Sequence, residues 1–287
     1  MPDLPASVPT PAALPSLAPP TSRFSARLAE AVRQTGAPVC VGLDPDPERL
    51  PAFLGEGAQA AERFCVAITE SCAPLSAAFK PNLAFFEAYG ADGWRALERV
   101  AEAVRQSGRL LVLDGKRGDI GNTGRRYAHA QFDGLGADAA TVAPYMGADS
   151  LSPFLEHAGR CAFTLVATSN PGALDLQHRP SAGVPLYQAV ADLAVETARD
   201  RRGEAGFVVG ATWPERLAEL RAAHPEVPFL VPGVGAQGGS AADVLGCNNG
   251  GPILVNASRS ILYASSGADF AQAAADAAAR LAETLGG

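Results

Sequence analysis

Lysine is nearly absent from this chain. Only Lys80 and Lys116 occur in 287 residues, and the other 21 of 23 basic residues (23 − 2) are arginine. Arginine keeps its charge in a protein, whereas a buried ammonium can give up its proton. The two positions that retain lysine are therefore candidates for a tunable amine. Basic charge as a whole is short too. A net charge of −7 argues against nucleic-acid binding, which needs a basic face. Five cysteines, Cys40, Cys65, Cys72, Cys161 and Cys247, form no CxxC pair, and their odd number suits a reducing compartment rather than a disulfide framework. No apolar run reaches membrane-spanning length. No basic stretch followed by an apolar core opens the chain, so no secretory signal is expected. Four histidines (His129, His157, His178, His224) show no HxH or HExxH spacing, which argues against a His-ligated metal. No GxSxG and no Cys/His pairing support acyl transfer.

What remains is a large apolar fraction, 47%, arranged with a regular rhythm. Residues 1–21 are rich in Pro, Ala and Ser and read as a disordered lead-in, leaving 22–287 as one catalytic domain. Eight β-like runs follow, at 38–43, 77–81, 110–114, 139–143, 162–168, 205–210, 228–232 and 252–256. Helical patterns lie near 57–74, 86–107, 121–134, 149–158, 184–201, 213–223, 239–247 and 267–285. Eight βα units in a chain of this length predict a single (β/α)8 TIM barrel. A doubly wound open sheet would not need eight such units, and no GxGxxG follows the first run.

Active sites on this fold gather where strands end at their carboxyl side. There the sequence places Asp44, Lys80, Asn82, Asp114, Lys116 and Asp119. In extended chain, residues two apart face the same way, so Asp114 and Lys116 are expected to share the barrel mouth with Lys80. Alternating carboxylates and ammonium groups keep one another ionised. Ion pairs that merely brace the barrel rim are the plainer alternative. The runs near 228–232 and 252–256 open loops in the usual phosphate position: a glycine-rich one with Gln237, and one with Arg259. Glycine lets backbone N–H groups approach an anion, and arginine grips it bidentately. Ser169-Asn170 could hydrogen-bond a polar ring, or simply form an Asn-Pro-Gly turn.

Asp114-Gly-Lys116-Arg-Gly-Asp119-Ile120 followed by Thr123 resembles the DxKxxDI…T signature of the orotidine 5′-phosphate decarboxylase family. The stretch Phe79 to Glu87 before it is similar to the bacterial type 2 branch. Val41-Gly-Leu-Asp-Pro45, Thr168-Ser-Asn-Pro171, Pro232 to Gln237 and Asn256-Ala-Ser-Arg259 fall in the family's order. The resemblance implies a cytoplasmic, cofactor-free and metal-free lyase that converts orotidine 5′-phosphate to UMP and CO2 in pyrimidine biosynthesis. It implies Lys116 as proton donor to C6, Asp114 against the departing carboxylate, and Lys80 completing the array beside the ribose. Asp119 and Thr123 would cross a homodimer interface into the partner's site, with Ile120 lining the pocket. Asp44 would bind a ribose hydroxyl, Ser169 would read the base, and Gln237 and Arg259 would hold the 5′-phosphate. Ser258 stands where a glycine often precedes the phosphate arginine. DxKxxD alone is shared with Mg-dependent sugar-phosphate decarboxylases and aldolases, which remain an alternative. So do a Schiff-base aldolase and a non-catalytic nucleotide-phosphate sensor.

Overall fold

The computed structural model describes residues 20–234 and 238–286. Most of the lead-in expected at 1–21, and Gln237, lie outside the described residues. Eight parallel strands close a barrel: β1 Val39–Leu43, β2 Ala78–Pro81, β3 Leu110–Arg117, β4 Ala139–Val142, β5 Cys161–Ala167, β6 Glu204–Val209, β7 Phe229–Pro232 and β8 Ile253–Ala257. Each strand pairs with its sequence neighbours, and β1 closes the ring against β8. The (β/α)8 barrel expected from the sequence is the observed architecture.

The strands carry apolar residues on both faces because both are covered. One parity packs outward under the helices: Val41, Phe79, Leu111, Leu113, Phe207 and Val231 are buried there. The other parity fills the barrel interior with Cys40, Ala78, Val112, Ala139, Phe163, Val208, Leu230 and Leu254. Continued two residues further along each strand, the interior column reaches Gly42 and Asp44, Lys80 and Asn82, Asp114, Thr141, and Asn256 and Ser258. The polar mouth is thus the top layer of the same inward face.

An unexpected helix closes the other end. α1, Phe24–Thr35, precedes the first strand and buries Phe24, Leu28 and Ala31 in the interior cluster. Phe24 meets Phe163 edge-to-face, with ring centroids 5.6 Å apart. Among the described residues, eight further helices form the outer ring: α2 Gly57–Cys72, α4 Gly90–Gln106, α5 Gly121–His129, α6 Ala148–Leu155, α8 Leu186–Ala198, α9 Pro214–Ala223, α10 Ala241–Asn248 and α12 Phe270–Gly286; the short α3 Leu83–Glu87, α7 Ala173–Leu176 and α11 Arg259–Leu262 lie in the segments that follow β2, β5 and β8.

Three boundaries depart from expectation. The helix expected at 86–107 is broken between α3 and α4, where Gly90 takes φ +61°, a left-handed value that favours glycine. The helix expected over 121–134 ends at His129 and continues as one π turn through Gly134. The helix expected from 184 starts at Leu186, because 180–185 form a small antiparallel hairpin instead. All five cysteines are free, and no helix among the described residues is long and apolar enough to cross a membrane.

Candidate active site

A cavity of about 300 Å³ opens at the carboxyl ends of the strands. Leu165, Val208 and Leu230 form its apolar floor, continuous with the barrel interior. Its walls carry Asp44, Lys80, Asp114, Lys116, Ser169 and Arg259, together with Thr141 and Asn256. An apolar floor with a few convergent charges is the usual form of a small-molecule site.

Lys80, Asp114 and Lys116 make one chain of contacts. Asp114 Oδ2 accepts from Lys80 Nζ at 2.8 Å, and Asp114 Oδ1 accepts from Lys116 Nζ at 2.6 Å. The Lys80 and Asp114 side chains are almost fully enclosed, whereas Lys116 is half exposed toward the cavity. Burial by itself would depress the Lys80 ammonium. The Asp114 and Asp44 carboxylates outweigh it, and the Lys80 pKa ends well above the ordinary lysine range. Burial likewise works against the Asp114 carboxylate, but Lys80 and Lys116 override it and hold its pKa far below the aspartate range. Asp114 is therefore ionised and Lys80 charged throughout the neutral range.

The route by which Lys116 reaches Asp114 differs from the extended geometry expected. From Leu113 to Arg117 β3 advances four residues while β4 advances two, from Ala140 to Val142. The surplus bulges out at Asp114, Gly115 and Lys116, and Lys116 adopts φ +45°. A non-glycine residue there costs roughly 1–2 kcal/mol, and such outliers gather at functional sites. The Lys116 N–H leaves the strand ladder and donates to Thr141 Oγ1 at 2.9 Å. Thr141 Oγ1 in turn donates to Asp114 Oδ1 at 2.9 Å.

Around this array stand groups without partners. Asp44 Oδ1 and Asn256 Oδ1 are buried and accept no hydrogen bond from the described residues. Arg259 is exposed at the cavity edge, and no carboxylate among the described residues pairs with it. An unpaired guanidinium beside buried acceptors suits a ligand that offers both an anion and hydroxyl groups. Ser258 packs directly on Gly42: a Cβ at Gly42 would lie 1.9 Å from Ser258 Oγ. The loop after β5 is held by Gln177, whose side chain accepts from Thr168 N at 2.9 Å and donates to Thr168 Oγ1 at 2.8 Å. Gly210 lets β6 approach this loop, because a Cβ there would sit 2.7 Å from Ser169 N.

Among the described residues, no group of three or more His, Cys, Asp or Glu side chains is arranged to hold a metal ion. Residues 37–275 match the family described as Orotidine 5′-phosphate decarboxylase / HUMPS family. The chain belongs to this family. It is 49% identical over 185 residues to an orotidine 5′-phosphate decarboxylase of Roseiflexus castenholzii, covering 63% of this chain and 68% of the relative. To that of Verminephrobacter eiseniae it is 48% identical over 181 residues, covering 61% of this chain and 66% of the relative. These alignments span about two thirds of the curated relatives' length. A solved structure of Leishmania donovani OMP decarboxylase is 38% identical, covers 92% of this chain and 99% of that one, and superposes with a TM-score of 0.78.

On this orotidine 5′-phosphate decarboxylase-family barrel, the residues singled out in the sequence fall into two groups. Asp44, Lys80, Asp114, Lys116, Ser169 and Arg259 line one cavity. Asp119, Ile120 and Thr123 do not line it; Asp119 Oδ1 accepts from the Ile120 N–H at 2.7 Å, and Ile120 is 50% exposed. Thr141 and Asn256 were missed as site residues. The signal for both was parity: each lies two residues beyond an interior apolar residue, Ala139 or Leu254, on the inward face.

Proposed function

We propose that the protein converts orotidine 5′-phosphate to UMP and CO2, with Lys116 delivering the proton to C6. The observation that carries this reading is the Lys80–Asp114–Lys116 array on an apolar floor, with unpaired Arg259 across the same cavity.

Loss of CO2 from C6 leaves a carbanion whose lone pair lies in the ring plane, outside the π system. Stabilisation must come from charge already in place. The Lys116 ammonium supplies it and then donates its proton, so that C6–H forms once the C6–carboxyl bond has broken, and the amine is left neutral. Asp114, held ionised by its two lysines, faces the substrate carboxylate. Two unit charges ~4 Å apart repel by about 4 kcal/mol at an effective dielectric near 20. The repulsion falls as the carboxylate departs as neutral CO2, so the contact disfavours substrate more than transition state. Lys80, kept protonated by Asp114 and Asp44, is a poor nucleophile, which weighs against Schiff-base chemistry there.

Arg259, with Gln237 from the sequence following β7, holds the 5′-phosphate, and Asp44 Oδ1 accepts from a ribose hydroxyl. Ser169 reads the base. Binding energy from the remote phosphate then keeps the pyrimidine against Asp114. The active species is a homodimer in which Asp119 and Thr123 complete the partner's site and Ile120 lines it. Ile120 and Tyr145–Met146, exposed apolar residues ahead of the packed helices α5 and α6, support such a contact. The free cysteines fit a cytoplasmic setting.

The test is the loss of orotidine 5′-phosphate absorbance with purified protein in EDTA. Full turnover to UMP is expected. Protein inert toward this substrate with or without Mg2+ contradicts the reading, and turnover restored only by Mg2+ contradicts the metal-free mechanism.

A further inference from the structure

Thr141 has no part in the chemistry above, yet it is 1% exposed beneath the reacting groups. The bulge in β3 removes the Lys116 N–H from the ladder just where the backbone turns left-handed. The Thr141 hydroxyl takes the place of the lost carbonyl. Its proton direction is fixed by its neighbours, because a backbone N–H can only donate and an ionised carboxylate can only accept. Thr141 Oγ1 therefore accepts from Lys116 N and donates to Asp114 Oδ1, each at 2.9 Å.

We infer that Thr141 is a positioning residue for the decarboxylation, tying the Lys116 backbone and the Asp114 carboxylate into one rigid unit. This rests on the function proposed above. Without the hydroxyl, Lys116 N is left unpaired inside the bulge, and Asp114 Oδ1 keeps Lys116 Nζ as its sole donor. The amine is then drawn toward Asp114, and its placement over C6 is no longer set by the backbone. Small misplacements of a reacting group are costly to rate while leaving remote binding untouched. The phosphate and ribose contacts come from other strands, so affinity for UMP should not depend on Thr141.

Thr141→Val removes the hydroxyl at nearly constant volume, and Thr141→Ser keeps it. Expected for Thr141→Val is a kcat loss of ~10–100-fold with unchanged UMP affinity by calorimetry. Thr141→Ser should recover most of the turnover. In a crystal structure of Thr141→Val, Lys116 should leave its left-handed conformation or the Asp114 carboxylate should rotate. If Thr141→Val does not fold, Thr141→Ala makes the same comparison. Wild-type turnover by the valine variant would overturn the inference. So would a serine variant as impaired as the valine one, or a valine variant in which neither the Lys116 backbone nor the Asp114 carboxylate has moved. Wild-type protein inert toward orotidine 5′-phosphate would instead sink the decarboxylase reading, and the crystal comparison would still decide whether Thr141 holds the bulge.

Discussion

Removing the Asp114 charge should expose how tightly the lysine pair is coupled. Asp114→Asn takes from buried Lys80 its hydrogen-bonded counter-ion and leaves only the Asp44 carboxylate near it, and breaking a buried pair in this way costs about 3–5 kcal/mol. The pH dependence has a definite sign. The Asp114 pKa is lowered by folding, so its contribution is present above about 3.9, the ordinary aspartate value, and fades as pH falls below it. The Lys80 pKa is raised, so its contribution is present below about 10.4 and is lost as pH climbs beyond that through the folded value. The melting-temperature gap between wild type and Asp114→Asn should therefore shrink as pH falls below about 4 and the wild-type carboxylate is protonated. Arg259→Ala acts elsewhere. If Arg259 holds the 5′-phosphate as proposed, the change removes a charge-assisted grip worth about 1.5–3 kcal/mol, and UMP affinity should fall by ~10–100-fold in calorimetry. The charged residues themselves were legible in the sequence, since lysine is so rare. The left-handed Lys116 was not, because a bulge is set by the mismatch between two strands far apart in sequence.

At the level of elements, the barrel was legible because eight apolar runs alternate with helical patterns. The α1 plug was not: a twelve-residue helix before the first strand has no partner visible in local sequence, and its role emerges only when the barrel end needs closing. Phe24→Ala should cost about 3–5 kcal/mol, lowering the melting temperature. The kcat of the folded variant should stay unchanged, since Phe24 lies at the far end of the barrel. The Gly42–Ser258 contact couples two strand ends instead. A Cβ at Gly42 would also lie 3.2 Å from Asn256 Oδ1, so rotating the serine alone gives incomplete relief. Gly42→Ala should destabilise by about 1–3 kcal/mol. Ser258→Gly in the same chain should recover most of it, measurable as a double-mutant cycle by denaturant unfolding.

For the whole molecule, the sequence marked Asp119, Ile120 and Thr123 as one group with Lys116, but a single chain does not bring them to the cavity. Motif spacing carries no information on whether a residue acts in its own subunit or the next. A shared site predicts complementation. Lys116→Ala and Asp119→Ala homodimers should each be inactive. Refolding them together should restore activity, because each mixed dimer contains one site free of both changes. No recovery on mixing, with dimers present by light scattering, would place Asp119 outside the partner's site.

The account depends above all on a proton passing from the Lys116 amine to C6. The direct measurement is turnover of orotidine 5′-phosphate by Lys116→Arg in EDTA, beside wild type. Arginine keeps the positive charge but cannot release a proton. Wild type should produce UMP, while the arginine variant should bind UMP and produce none above background. Near-normal turnover by that variant would contradict the account.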